Sequence, residues 1–126
     1  MNILAVSSDA ALLTTLEGIL RSLFPHAVIA CAADPLMAGK YAFHNRVDIL
    51  LTEAEMKRMD GVQLIRFVRQ ERPAVRAYLM GRADTLRRLP MHAQSEAAGL
   101  IGLPLTAEAV AAALDGAVNH KEGRSQ

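Results

Sequence analysis

Apolar and polar positions along this chain fall into blocks whose period switches from strand-like to helix-like and back. Asn2 to Val6 form a short apolar run that turns polar at Ser7-Ser8-Asp9. Leu12, Leu13, Leu16, Ile19, Leu20 and Leu23 then recur at helical spacing, which predicts a strand followed by a helix. Ser8 or Asp9 is placed to cap that helix by accepting hydrogen bonds from its free backbone N–H groups. Phe24-Pro25 closes it, because the residue before a proline is pushed out of the helical region.

The cycle repeats. His26 to Ala32 predict a second strand, and Asp34-Pro35 opens a second helix with proline in its first turn, running to His44-Asn45. Val47 to Thr52 is mainly apolar, as a third strand covered on both faces should be. A loop with Met59-Asp60-Gly61 leads into a helix carrying Val62, Leu64, Ile65, Phe67 and Val68, which Pro73 stops. Ala74 to Met80 predict a fourth strand, and Asp84 to Ala98 a fourth helix disturbed at Pro90. Leu100 to Leu103 make a fifth strand, and Thr106 to Val118 a last helix with Thr106 as its N-cap. Residues 1–118 are thus read as one domain, and Asn119 to Gln126 as a polar tail expected to fray.

Five strands alternating with five helices predict an α/β fold with a parallel sheet and helices on both faces. The flavodoxin-like (βα)5 winding, strand order 2-1-3-4-5, is the commonest for five such units. Ligands in that order bind beyond the C-terminal strand ends, near strands one and three. The candidate site therefore falls on Ser7, Ser8, Asp9, Glu53, Met80, Gly81 and Leu103.

Composition narrows the function classes. A chain of 126 residues with 52% hydrophobic content can bury one real core. No apolar run approaches the roughly 18–20 residues of a membrane span, and no basic region precedes the first apolar run as in a signal peptide. The single cysteine, Cys31, excludes an internal disulfide, and a cytoplasmic location is expected. Its apolar surroundings read as those of a buried, inert thiol. Net charge is only +1, yet residues 57–88 hold nine Lys/Arg against three acids. A solvated helix face is the simpler account of that excess, and a basic contact surface for a partner is the other. No aromatic interleaving or recognition-helix pattern accompanies it, so no direct nucleic-acid binding is expected. His26, His44, His92 and His120 lie on different elements without metal-ligand spacing, and no glycine-rich phosphate loop occurs. No metal, no other cofactor and no enzymatic activity are expected.

The run Val47-Asp48-Ile49-Leu50-Leu51-Thr52-Glu53, followed by Met56-Lys57-Arg58-Met59-Asp60-Gly61, carries a resemblance. It is similar to the receiver domains of bacterial two-component response regulators (CheY-like). There an apolar strand ends in a phospho-accepting aspartate and the loop reads Met-Pro-Gly-Met-Asp-Gly. The resemblance extends over essentially the whole chain: Arg82-Ala83-Asp84 and Leu103-Pro104 also fall where that family has similar residues. Receivers of the LytTR transcription-factor group resemble the stretch from Asp48 to Met80.

The departures from that pattern are concentrated at the chemistry. Ser7 and Ser8 stand where receivers place two magnesium-holding acids, and Asp9 matches a third, less essential acidic place. Glu53 replaces the phospho-acceptor, Met80 the hydroxyl residue of the fourth strand, Leu100 the aromatic switch residue and Leu103 the lysine. Magnesium needs carboxylate charge, and phosphoryl transfer is mostly positioning plus charge neutralisation. The resemblance therefore implies a degenerate receiver that signals or regulates transcription by protein contact, without aspartyl phosphorylation. Two readings of Glu53 stay open: a fixed negative charge holding an active-like state, or a polar residue at a strand end.

Receivers commonly pair through the fourth helix, fifth strand and last helix. Here that face is rich in alanine, with Ala97, Ala98, Ala107, Ala111 and Ala112 as interface candidates for a protein partner or a homodimer. Alanine also simply favours helix. The alternatives are a small-ligand sensor using the strand-end pocket, or a receiver fragment of a longer DNA-binding regulator.

Overall fold

The computed structural model describes residues 1–115, and the predicted end of the last helix and the tail at 119–126 lie outside them. The elements follow the expected alternation: β1 (Asn2–Val6), α1 (Ala10–Leu23), β2 (Val28–Ala32), α2 (Pro35–His44), β3 (Ile49–Glu53), α3 (Gly61–Glu71) and β4 (Arg76–Arg82). Two short helices, α4 (Ala83–Arg87) and α5 (Met91–Glu96), then precede β5 (Gly99–Leu103). The last helix, α6, is described over 107–115. All strand pairs are parallel and the sheet order is β2-β1-β3-β4-β5, the flavodoxin-like winding.

Side-chain alternation splits the core into two layers. Ile3, Ala5, Ile49, Leu51, Tyr78, Met80 and Ile101 point to the side covered by Leu16 and Leu20 of α1 and Val110 and Leu114 of α6. Leu4, Val6, Leu50, Ala77 and Leu79 point to the other, against Ala38 and Ala42 of α2 and Leu64, Ile65 and Val68 of α3.

The first three helices begin on aspartates whose carboxylates accept backbone N–H groups. Asp9 Oδ1 accepts from Ala11 and Leu12 at 2.9 and 3.2 Å, and Asp34 Oδ1 from Met37 at 2.9 Å. Asp60 and Gln63 form a reciprocal capping box at 2.8 and 3.0 Å. Thr106 Oγ1 accepts from the Ala109 N–H at 3.0 Å, the cap its sequence position predicts.

Three expectations need correction. The segment predicted as one helix from Asp84 to Ala98 is two helices separated near Pro90, which begins α5 instead of continuing α4. Proline has no N–H to give and its ring clashes with the preceding turn, so the chain restarts there. The second piece docks on α3, where Glu96 pairs with Arg69 at 2.9 Å and Arg66 at 3.5 Å. Strand β4 does not end at Met80 but runs through Gly81 to Arg82, paired with β5 as far as Leu103. Cys31 is exposed, not buried, because β2 is an edge strand. Its sulfur is nonetheless partly desolvated and lies beside Glu17, and both effects push the thiol pKa up, keeping it protonated and unreactive.

Candidate functional site at the strand ends

Parallel winding brings the C-terminal ends of β1, β3, β4 and β5 to one rim, and the predicted polar residues meet there. Val6 is opposite Thr52 in the β1–β3 register, so Ser7 and Glu53 emerge side by side. Ser7 Oγ donates to Glu53 Oε1 at 2.5 Å, and the Ser8 N–H donates to the same oxygen at 3.2 Å. The first is a short, charge-assisted hydroxyl–carboxylate bond, the stronger kind. Ser7 is 1% exposed, so the bond is shielded from water on the serine side. Ser7 Oγ also accepts from the Asp9 N–H at 3.0 Å, which ties the β1–α1 turn to β3 through one hydroxyl.

The end of β3 is held from the far side by a close helix approach. The Gly61 N–H donates to the Ala54 carbonyl at 2.9 Å. A Cβ at Gly61 would collide with the Glu53 carbonyl oxygen and would sit 2.7 Å from Leu79 Cδ2. Only glycine lets α3 start this near the strand that carries Glu53. The loop between them contains Arg58 with φ 74°, in the left-handed region.

This donor set does not suit a magnesium ion. Magnesium takes octahedral oxygen ligands rich in carboxylate charge. Ser7 spends its proton on Glu53, one Glu53 oxygen is already doubly engaged, and Asp9 Oδ1 is committed to the α1 cap. Among the described residues no group of three or more His, Cys, Asp or Glu side chains is arranged to hold a metal.

The remaining predicted residues separate. Met80 is completely buried in the layer facing α1 and α6, in register with Glu53 but closed off from the rim. Gly81 is buried too, with Leu86 packed over it. The residue that reaches the rim from β4 is Arg82, directly across from Leu103. In the sequence the glycine of Met80-Gly81-Arg82 reads as a strand end, and only the place of Arg82 ahead of Ala83-Asp84 marks it as a site residue. Arg82, Glu53 and Asp9 share an open cleft of about 660 Å³ with Leu12, Leu103, Pro104 and Leu105. The Leu103–Pro104 peptide on its wall is cis.

The alanine-rich face is less uniform than its sequence suggests. Ala98, Ala107 and Ala112 are exposed, Ala97 and Ala111 are half-buried, and Ala93 is core. Two large apolar side chains of the same segment are also open, Leu100 on β5 at 38% exposed and Met91 on α5 at 84%. Of the histidines, His26, His44 and His92 are on the surface, and His120 lies outside the described residues.

No protein-family model matches the chain. Curated relatives match about half of it. The "Protein-glutamate methylesterase/protein-glutamine glutaminase 2" of Xanthomonas euvesicatoria pv. vesicatoria (strain 85-10) is 36% identical over 70 residues, 56% of this chain and 20% of that protein. The protein of the same name from Pseudomonas syringae pv. tomato is 35% identical over 74 residues, again 20% of its length. The chain thus spans about a fifth of the length of the curated relatives it matches. Solved structures match it almost end to end. A signal receiver domain of an HD domain-containing protein from Pseudomonas fluorescens Pf-5 superposes with a TM-score of 0.80 at 23% identity, covering 98% of this chain and 90% of that one. A response regulator receiver domain protein from Clostridium thermocellum gives 0.79 at 18% identity, over 96% of both chains. The chemotaxis protein CheY4 of Vibrio cholerae gives 0.76 at 18%, over 91% and 96%. With its strand order, helix placement and these superpositions, the chain has the fold of the CheY-like receiver domains of response regulators.

Proposed function

We propose that this chain is a pseudo-receiver domain of a bacterial response regulator that transmits its signal by protein contact and not by aspartyl phosphorylation. The carrying observation is the Ser7–Glu53 bond: the carboxylate at the phospho-acceptor place is occupied by neighbours that elsewhere would be metal ligands. A carboxylate so engaged is a weak nucleophile, and neither Leu103 nor the buried Met80 offers a cation or hydroxyl to a transferring phosphoryl group. Glu53 then acts as a fixed structural charge, a tie between β1 and β3.

The contact surface in this reading is the side bearing Leu100, Met91, Ala98, Ala107 and Ala112. Division of the fourth helix into two short pieces, with α5 drawn toward α3 by Glu96, goes with the partial exposure of Leu100 on the edge strand. Exposed large apolar side chains and exposed alanines suit a second protein surface, whether a second copy or another chain. The domain works in the cytoplasm, with transcription control as the output when it is part of a longer regulator.

Incubation with beryllofluoride and magnesium, followed by NMR of the Ser7, Ser8 and Glu53 amides, is expected to leave these resonances in place. Saturable shifts confined to the strand ends would overturn the phosphorylation-independent reading. Sedimentation of the parent protein against Leu100→Asp addresses the contact face. Self-association lost in the variant supports a homodimer there. A parent that stays monomeric leaves a different partner as the occupant.

A further inference from the structure

The strand-end cleft has an electrostatic arrangement that its own residues do not satisfy. The Arg82 guanidinium makes no hydrogen bond or ion pair among the described residues, although Glu53 and Asp9 line the same cleft. Both carboxylates use a single oxygen internally: Glu53 Oε1 takes Ser7 and Ser8, and Asp9 Oδ1 takes the α1 cap. Their second oxygens accept no hydrogen bond from the described residues. One unpaired cation and two half-used anions thus face one space, whose remaining walls include Leu12, Leu103, Pro104 and Leu105.

We infer that this cleft binds a small zwitterion with an apolar side chain, an amino acid of the leucine or phenylalanine type. Its ammonium would meet the free oxygen of Glu53, with Asp9 adding negative potential. Its carboxylate would pair with the Arg82 guanidinium, whose planar fork suits a carboxylate. Its side chain would lie on Leu12, Leu103 and Leu105. The volume, about 660 Å³, falls within the usual range of small-molecule sites, which combine an apolar lining with a few placed polar groups. A purely anionic ligand would meet two carboxylates for one arginine, and a purely cationic one would meet the guanidinium. Only a ligand carrying both charges leaves neither end opposed.

The inference depends on the phosphorylation chemistry being absent from this pocket, since a magnesium ion or phosphoryl group at Glu53 would claim the same oxygens. It does not depend on the outer face taking a partner.

The test is a titration of the full chain with L-leucine and L-phenylalanine into the millimolar range, followed by methyl and amide NMR. N-acetyl-leucine, leucinamide and glycine serve as controls lacking the cation, the anion and the apolar side chain. Expected are saturable shifts at Leu12, Leu103 and Leu105 with the two amino acids, at least about tenfold weaker with each control. Arg82→Gln, on an exposed side chain that no described residue engages, should weaken binding about tenfold or more without altering the spectrum elsewhere. Absence of saturable shifts from either amino acid overturns the inference, as does equal binding of N-acetyl-leucine or unchanged affinity in Arg82→Gln. Beryllofluoride shifts would instead count against the proposed loss of phosphorylation, so the two failures are distinguishable.

Discussion

The two halves of the sheet are built to different standards. On the β1–β3 half, α1, α2 and α3 each start on an aspartate whose carboxylate caps the helix, and α3 adds a full capping box. On the β4–β5 half, α4 and α5 have five and six residues, and neither has a side-chain cap hydrogen bond. Each cap is worth about 1 kcal/mol, and isolated helices this short are far below the length that is stable alone. The helix starts of the first half are therefore set locally, while α4 and α5 depend on tertiary contacts such as Glu96 with Arg66 and Arg69. Leu100 and Met91, both in this second half, are left exposed.

The sharpest way to break the first half is at Gly61. Gly61→Ala replaces a poor helix former with the best one, which alone would favour α3 by about 1 kcal/mol. Against that, its Cβ would meet the Glu53 carbonyl, which belongs to the central strand β3 and cannot move away cheaply. Overpacking against backbone costs roughly 1–3 kcal/mol, and the upper end should apply. Urea denaturation should show a net loss of about 2 kcal/mol, together with shifted Ser7 and Ser8 amide resonances. A neutral or stabilised variant would mean that α3 does not hold β3 as described.

A paired substitution compares the halves directly. Asp60→Ala removes the α3 cap and its reciprocal partner, and should cost about 1 kcal/mol. Asp84→Ala, in the first turn of α4, removes only a long, exposed pairing with Arg88 at 3.8 Å. It should cost less than about 0.5 kcal/mol. Equal losses in the two variants, measured by the same denaturation curves, would erase the distinction between the capped helices α1 to α3 and the uncapped α4 and α5.

Legibility in the sequence follows the same division. The strands, the parallel order and the starts of α1, α2, α3 and α6 could be read because hydrophobic period, aspartate or threonine caps and prolines act within a few residues. The Ser7–Glu53 contact joins positions 46 apart, and becomes readable once strands one and three are taken as neighbours. What could not be read depended on distant partners. Glu96 draws α5 to α3 across 27 residues, and no local pattern near Pro90 announces it. Strand β4 overran its predicted end because pairing with β5 carries the chain through Gly81, so Met80 is core and Arg82 is the rim residue. Cys31 looked buried because an apolar run does not tell an edge strand from a central one.

An effect of the opposite sign, a stabilisation, is expected from the strained residue in the better-built half. Arg58 has φ 74°, where an ordinary side chain crowds its own backbone at a cost of roughly 1–2 kcal/mol. It stands at the glycine of the Met-Pro-Gly-Met-Asp-Gly loop that the chain otherwise resembles. Its side chain is exposed and no described residue engages it, so little packing is lost on removal. Arg58→Gly should relieve the strain but give back part of the gain through the greater freedom of glycine in the unfolded chain. A net stabilisation of about 0.5–1 kcal/mol is expected, read as a small rise in melting temperature with unchanged Ser7 and Glu53 resonances. Destabilisation would mean that the arginine contributes to the β3–α3 loop through an interaction of its side chain. The strain would then be compensated locally, and the first half would owe its rigidity to this loop as well as to its caps.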